Sequence, residues 1–62
     1  MKMTLKSLRT NAGMTQRQAA EAMGVTQGTI YLWEKGKVDP PFTKLQKLCD
    51  LYGCTVDDVR WV

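Results

Sequence analysis

Sixty-two residues, 44% of them apolar, supply one small domain and no second core. Two cysteines and no histidine exclude every histidine-containing zinc site, and with it Ser-His-Asp and Cys-His catalysis. No apolar run approaches the length of a membrane helix or a signal-peptide core. The expectation is a soluble, cytoplasmic protein with reduced thiols, no metal, no cofactor and no catalytic activity.

The charge is net +3 and unevenly placed. Residues 1–47 carry eight basic against three acidic side chains, whereas residues 48–62 carry one basic and three acidic. A basic body with an acidic end suits a polyanion on one side, although a lysine-rich solvated surface has the same composition.

In chain order, Leu5, Leu8 and Ala12 repeat at helical spacing and predict a first helix over 3–12, stopped by Gly13. Met14-Thr15-Gln16-Arg17-Gln18-Ala19 places a Thr N-cap before a Gln at the third helical position, with apolar residues on both sides. That is a capping box with a hydrophobic staple, and it opens a helix over 16–23 whose inner face is Ala19, Ala20 and Met23. After Gly24, the run Val25-Thr26-Gln27-Gly28-Thr29-Ile30 repeats the cap and predicts a helix over 27–35 that buries Ile30 and Trp33. Phe42, Leu45, Leu48, Cys49 and Tyr52 form an apolar stripe on a fourth helix over 41–52. Cys54-Thr55-Val56-Asp57-Asp58-Val59 is a third Thr cap, with Asp58 closing the box, and predicts a fifth helix over 56–60. No segment has strand period, so residues 1–62 read as a single all-α domain.

Only Gly24-Val25-Thr26 separates the second and third helices. A turn that short forces a tight crossing. The crossing needs a small residue at its contact, which Ala20 supplies, and a backbone tolerant of positive φ, which Gly24 supplies. Residues 13–20, Met23 to Gln27, Thr29-Ile30, Trp33-Glu34-Lys35-Gly36-Lys37 and Pro40 together resemble the Cro/cI-type helix-turn-helix family of phage and bacterial repressors. Leu48 to Val59 resembles that family's last two helices, so the likeness covers about residues 4–60. The resemblance implies a compact five-helix repressor-like domain that binds operator DNA, usually as a dimer, with its third helix in the major groove. The expected role is then a sequence-specific transcriptional regulator, a repressor by family habit.

The expected DNA-binding residues are Gln16, Arg17, Thr26, Gln27, Gly28, Tyr31, Leu32, Lys35 and Lys37. Burying Ile30 and Trp33 turns Gln27, Gly28, Tyr31 and Leu32 outward, and the first turn of a recognition helix reaches base edges. Gln27 is the best base reader, since Gln bonds adenine N6 and N7 bidentately; the bland reading is a solvated glutamine. The resemblance adds that Gln16 would bond a phosphate and brace Gln27. Gly28 departs from the pattern, because many relatives place a base-reading side chain there. It either admits the duplex or a thymine methyl closely or is merely tolerated near a helix start. Tyr31 and Leu32 could meet thymine methyls or the sugar wall, and Leu32 could instead face a partner subunit or the core. Lys35 and Lys37, flanking Gly36, suit phosphates, as does Arg17 in the first turn of the second helix.

Other residues read as structural. The resemblance implies an ion pair between Arg9 and Glu34. Phe42, Leu45, Leu48 and Tyr52 are expected in the core, Cys49 at a small-residue packing position and Cys54 as a staple. With no further domain expected after the fifth helix, no small-molecule ligand or membrane partner is anticipated. The expected partners are double-stranded operator DNA and a second copy of the chain. The dimer surface would draw on Val56, Val59, Trp61 and Val62, unless Trp61 and Val62 fold back onto the core. Two other readings use the same residues: a protein-interaction module of adaptor or antitoxin type, and a thiol switch at Cys49 and Cys54.

Overall fold

The structure, a computed structural model, describes residues 2–61. Four α-helices follow one another, α1 (Leu5–Asn11), α2 (Gln16–Met23), α3 (Gln27–Lys35) and α4 (Phe42–Tyr52), and a 3-10 turn (Val56–Asp58) closes the chain. The all-helical class stands, but the predicted fifth helix does not: it is a single 3-10 turn.

Local chemistry starts three of the helices. The Thr15 hydroxyl accepts from the Gln18 amide at 3.1 Å, and the Gln18 side chain accepts from the Thr15 amide at 2.9 Å, completing the box read from sequence. At Thr26 the hydroxyl accepts from the Thr29 amide at 3.2 Å and meets the Thr29 hydroxyl at 2.9 Å, so the shorter Thr29 closes that end without reaching the backbone. Thr4 caps α1 the same way, accepting from the Ser7 amide at 3.2 Å, a start that the periodicity of Leu5 and Leu8 did not reveal. The helix ends are alike as well. At the end of α2, Gly24 takes φ 70° and lets the Val25 amide donate back to the Ala20 carbonyl at 3.0 Å. A side chain with a Cβ rarely accepts that φ. The same reversed closure ends α1, α3 and α4.

The core gathers Leu5 and Leu8 from α1, Ala19, Ala20 and Met23 from α2, Ile30 and Trp33 from α3, and Leu45, Leu48, Cys49 and Tyr52 from α4. Ala19 is fully buried and Ala20 nearly so where α2 packs on α3 and α4, which is where the short turn demanded small residues. Both thiols are free, Cys49 in the core and Cys54 half-buried against it.

Further expectations change. Helix α1 begins at Leu5, not residue 3, because Met3 is drawn into an isolated parallel bridge with Val59. The Met3 amide donates to the Asp58 carbonyl and the Arg60 amide to the Met3 carbonyl, each at 2.8 Å. Those bonds hold Val59 extended and stop the 3-10 turn from growing into a helix. The same pairing buries Val59, at 3% exposure, which removes it from the expected dimer surface; Val56 is half-buried against the core. Trp61 stays about half exposed and lies beside Leu5 and Trp33, on the edge of the core, while Val62 lies outside the described residues. Phe42 is 62% exposed, because it occupies the first turn of α4, ahead of where that helix meets the core at Leu45. Ala12 is exposed for the matching reason, lying past the last residue of α1.

Candidate nucleic-acid interface

Helix α3 turns Ile30 and Trp33 inward, and the opposite side carries Gln27, Gly28, Tyr31, Leu32 and Lys35, all exposed. Thr26, Arg17 and Lys37 are exposed too, and Gln16 is half-buried at the junction of α2 and α3. Leu32 at 37% exposure is not a core residue. Arg17 makes only a loose surface pair with Glu21, 3.7 Å apart with both side chains mostly in solvent, and such a pair contributes little. Its guanidinium is therefore available beside the N-terminus of α2. The Lys35 ammonium sits 5.6 Å from the centre of the Tyr31 ring, a cation–π distance that steadies both side chains on the outer surface.

A buried ion pair orders this surface from behind. Arg9 Nε donates to Glu34 Oε2 at 2.6 Å, and Nη2 donates to Oε1 at 3.3 Å. The third arm, Nη1, donates to the Met14 carbonyl at 2.8 Å. Both charged side chains are less than a tenth exposed. Glu34 has a further partner: Gln16 Nε2 donates to Oε1 at 3.0 Å. A carboxylate can only accept, so Gln16 must present its nitrogen to Glu34 and its oxygen outward. That oxygen accepts from Gln27 Nε2 at 3.5 Å, a long contact that sets direction more than it adds energy. Gln27 keeps its own oxygen and one N–H free on the outer face. This is the donor–acceptor pair that adenine N7 and N6 require.

The surrounding surface is basic. Lys6 lines an open groove with Thr10, Gln16, Arg17 and Gln27, and a second hollow with Gln16, Tyr31, Glu34 and Lys35. The structure thus brings Gln16, Arg17, Gln27, Tyr31 and Lys35 together, with Lys6 among them. Thr26, Gly28, Leu32 and Lys37 lie outside both hollows on neighbouring exposed surface. Lys6 was missed because its place among these residues depends on how α1 docks. The available signal was its position three residues before Arg9, which is itself tied to Glu34.

Away from this face, burial pushes the Cys49 thiol up to about 12, helped by its hydrogen bond with Cys54 and by nearby acidic groups. Burial, with the charge of Glu34, likewise pushes the Tyr52 hydroxyl up to about 12. The Thr55 amide, donating to Asp58, holds that carboxyl below its usual range. Among the described residues no helix is long and apolar enough to cross a membrane.

A transcriptional regulator named PuuR from Escherichia coli is 39% identical over 54 residues, covering 87% of this chain and 29% of that protein. An uncharacterized regulator from Bacillus subtilis, YgzD, is 34% identical over 62 residues, covering all of this chain and 94% of its own length. The transcriptional activator BcrR of Enterococcus faecalis is 34% identical over 55 residues, 89% of this chain and 27% of that protein. The chain therefore spans under a third of the first and third of these relatives. No solved structure matches significantly. The helix-turn-helix family profile matches residues 5–59, and the chain belongs to the Cro/cI-type helix-turn-helix family.

Proposed function

We propose that this protein is a sequence-specific, double-stranded DNA-binding transcriptional regulator of the cytoplasm that places α3 in the major groove of an operator. One observation carries the reading furthest: the hydrogen-bonded line from Glu34 through Gln16 to Gln27, which aims a free amide outward from a basic face. Gln27 reads an adenine edge, and Lys6, Arg17, Lys35 and Lys37 take flanking phosphates. Helix-turn-helix regulators among its relatives support the regulatory role, and repression by occlusion of a promoter is the mode that a binding module without catalysis carries out most directly.

One short helix reads too few base pairs to single out a genomic site, so the unit on DNA is a homodimer on a near-palindrome. The test is selection from a random duplex pool, followed by salt titration and sedimentation on the selected sequence. A palindromic consensus, two chains per duplex and a slope of log affinity on log salt of about −0.9 per neutralised phosphate are expected. Binding that selects no sequence and ignores salt would point to the protein-interaction reading instead.

A further inference from the structure

Gly28 has no structural reason to be glycine. Its φ is not in the left-handed region, and a Cβ built on it meets only the Thr26 hydroxyl, at 3.9 Å, an ordinary contact. Alanine would fit and would favour the helix. The missing side chain does leave a gap on the outer face of α3, directly beside Gln27. Tyr31 and Leu32 stand three and four residues further on and so border the same patch. Helical side chains lean toward the N-terminus, which tips both over the turn that contains Gly28. Neither comes within 4 Å of the position a Cβ would take, so the gap stays open between them. It is a notch with a backbone floor, flanked at helical spacing by two walls, Tyr31 and Leu32, with the Thr26 hydroxyl at its edge. The walls are about 45% and 37% exposed, and the Tyr31 wall is steadied by Lys35.

We infer that this notch is a specificity pocket for the 5-methyl group of a pyrimidine, a thymine in ordinary DNA, at the base pair next to the one read by Gln27. The inference rests on the DNA-binding reading above. In the major groove a thymine differs from a cytosine by its C5 methyl and by an acceptor at position 4 in place of an amino donor. The hydroxyl nearest the notch, on Thr26, is already bonded to the Thr29 amide and hydroxyl, so what the notch offers a base is mainly apolar surface suited to a methyl. Glycine lets that methyl sink to the backbone between Tyr31 and Leu32; an alanine methyl would occupy the same space.

The experiment takes the duplex selected by the wild-type chain from a random pool and replaces each thymine in turn by deoxyuridine, which removes only the methyl. One thymine per half-site is expected to lose about four-fold in affinity, the fold-change for one buried methyl. Cytosine at that position should bind worse, and 5-methylcytosine should recover about four-fold over cytosine. Gly28→Ala should melt no lower than wild type, bind the thymine duplex several-fold more weakly and no longer distinguish thymine from deoxyuridine there. A selected duplex with no methyl-sensitive pyrimidine, or methyl sensitivity unchanged in Gly28→Ala, overturns the notch and leaves the DNA-binding reading standing. A pool that yields no enriched sequence overturns both.

Discussion

Replacing Glu34 by Gln keeps the shape of the side chain and removes its charge. The Arg9 guanidinium then stays buried, at about 8% side-chain exposure, with a neutral amide and the Met14 carbonyl as its only partners. Breaking one side of a buried pair costs about 3–5 kcal/mol, because the surviving charge loses its compensation in a low-dielectric site. A domain of 62 residues has a total stability of about 3–9 kcal/mol, so the single change removes a large share of it. Arg9→Met should cost a similar amount by stranding Glu34. The double variant Arg9→Met, Glu34→Leu removes both charges and restores apolar bulk. It should recover to within about 2 kcal/mol of wild type, since the released Met14 carbonyl and Gln16 amide can turn to water at the edge of α2. Urea unfolding of wild type, Arg9→Met, Glu34→Leu and the double variant, with Glu34→Gln alongside and in a stabilising osmolyte so that the singles retain a folded baseline, gives the coupling directly. Losses that simply add in the double variant, or single losses below about 1 kcal/mol, would refute the reasoning.

Gln27→Ala is expected to cost about 1–3 kcal/mol on the selected site and to flatten the preference at one or two base pairs, with binding to random duplex unchanged; competition on single-base variants reads this. Lys35→Ala and Lys37→Ala should each weaken all duplexes about equally and reduce the salt slope by about 1, measured by titration from low to moderate salt. The alkaline limit follows from Cys49 and Tyr52. Both have folded-state values raised to about 12 from ordinary values of 9.0 and 10.0, so their contribution is complete below about pH 9 and is lost as pH rises toward 12. Thermal melts across that range should fall steeply, and Tyr52→Phe should make the fall shallower.

The helix starts at Thr15 and Thr26 were legible because capping chemistry is local: the hydroxyl, the amide it accepts from and the staple all lie within six residues. The helix ends were legible at the glycines for the same reason. Periodicity alone misled where a long-range partner decides the outcome. The 56–60 segment has a cap and apolar spacing suited to a helix, yet Val59 is held extended by Met3, more than fifty residues away in sequence. Nothing near Met3 or Val59 announces that pairing. Phe42 fits the stripe of α4 and still lies outside the core, since a stripe says which face is apolar but not where along it the neighbouring helices begin. In the site, the outward set of α3 followed from Ile30 and Trp33 pointing in. Lys6 was invisible because its nearness to Gln16 and Lys35 is set by the docking of α1.

The Arg9–Glu34 pair followed from a resemblance rather than from spacing, and the structure gives it a reach beyond the tie between α1 and α3. Buried ion pairs are seldom the most stabilising way to fill a core, so a fold that keeps one invites the question of what the charges arrange. Here the carboxylate faces two donors at once, Arg9 on the side of α1 and the Gln16 amide on the side of α2. An apolar replacement could pack as well but could not orient an amide. With Glu34 ionised, Gln16 has one favourable orientation, and its outward oxygen then selects the nitrogen of Gln27. Stability and side-chain presentation therefore share one carboxylate: the charge that fastens the first helix also decides which edge of Gln27 faces outward.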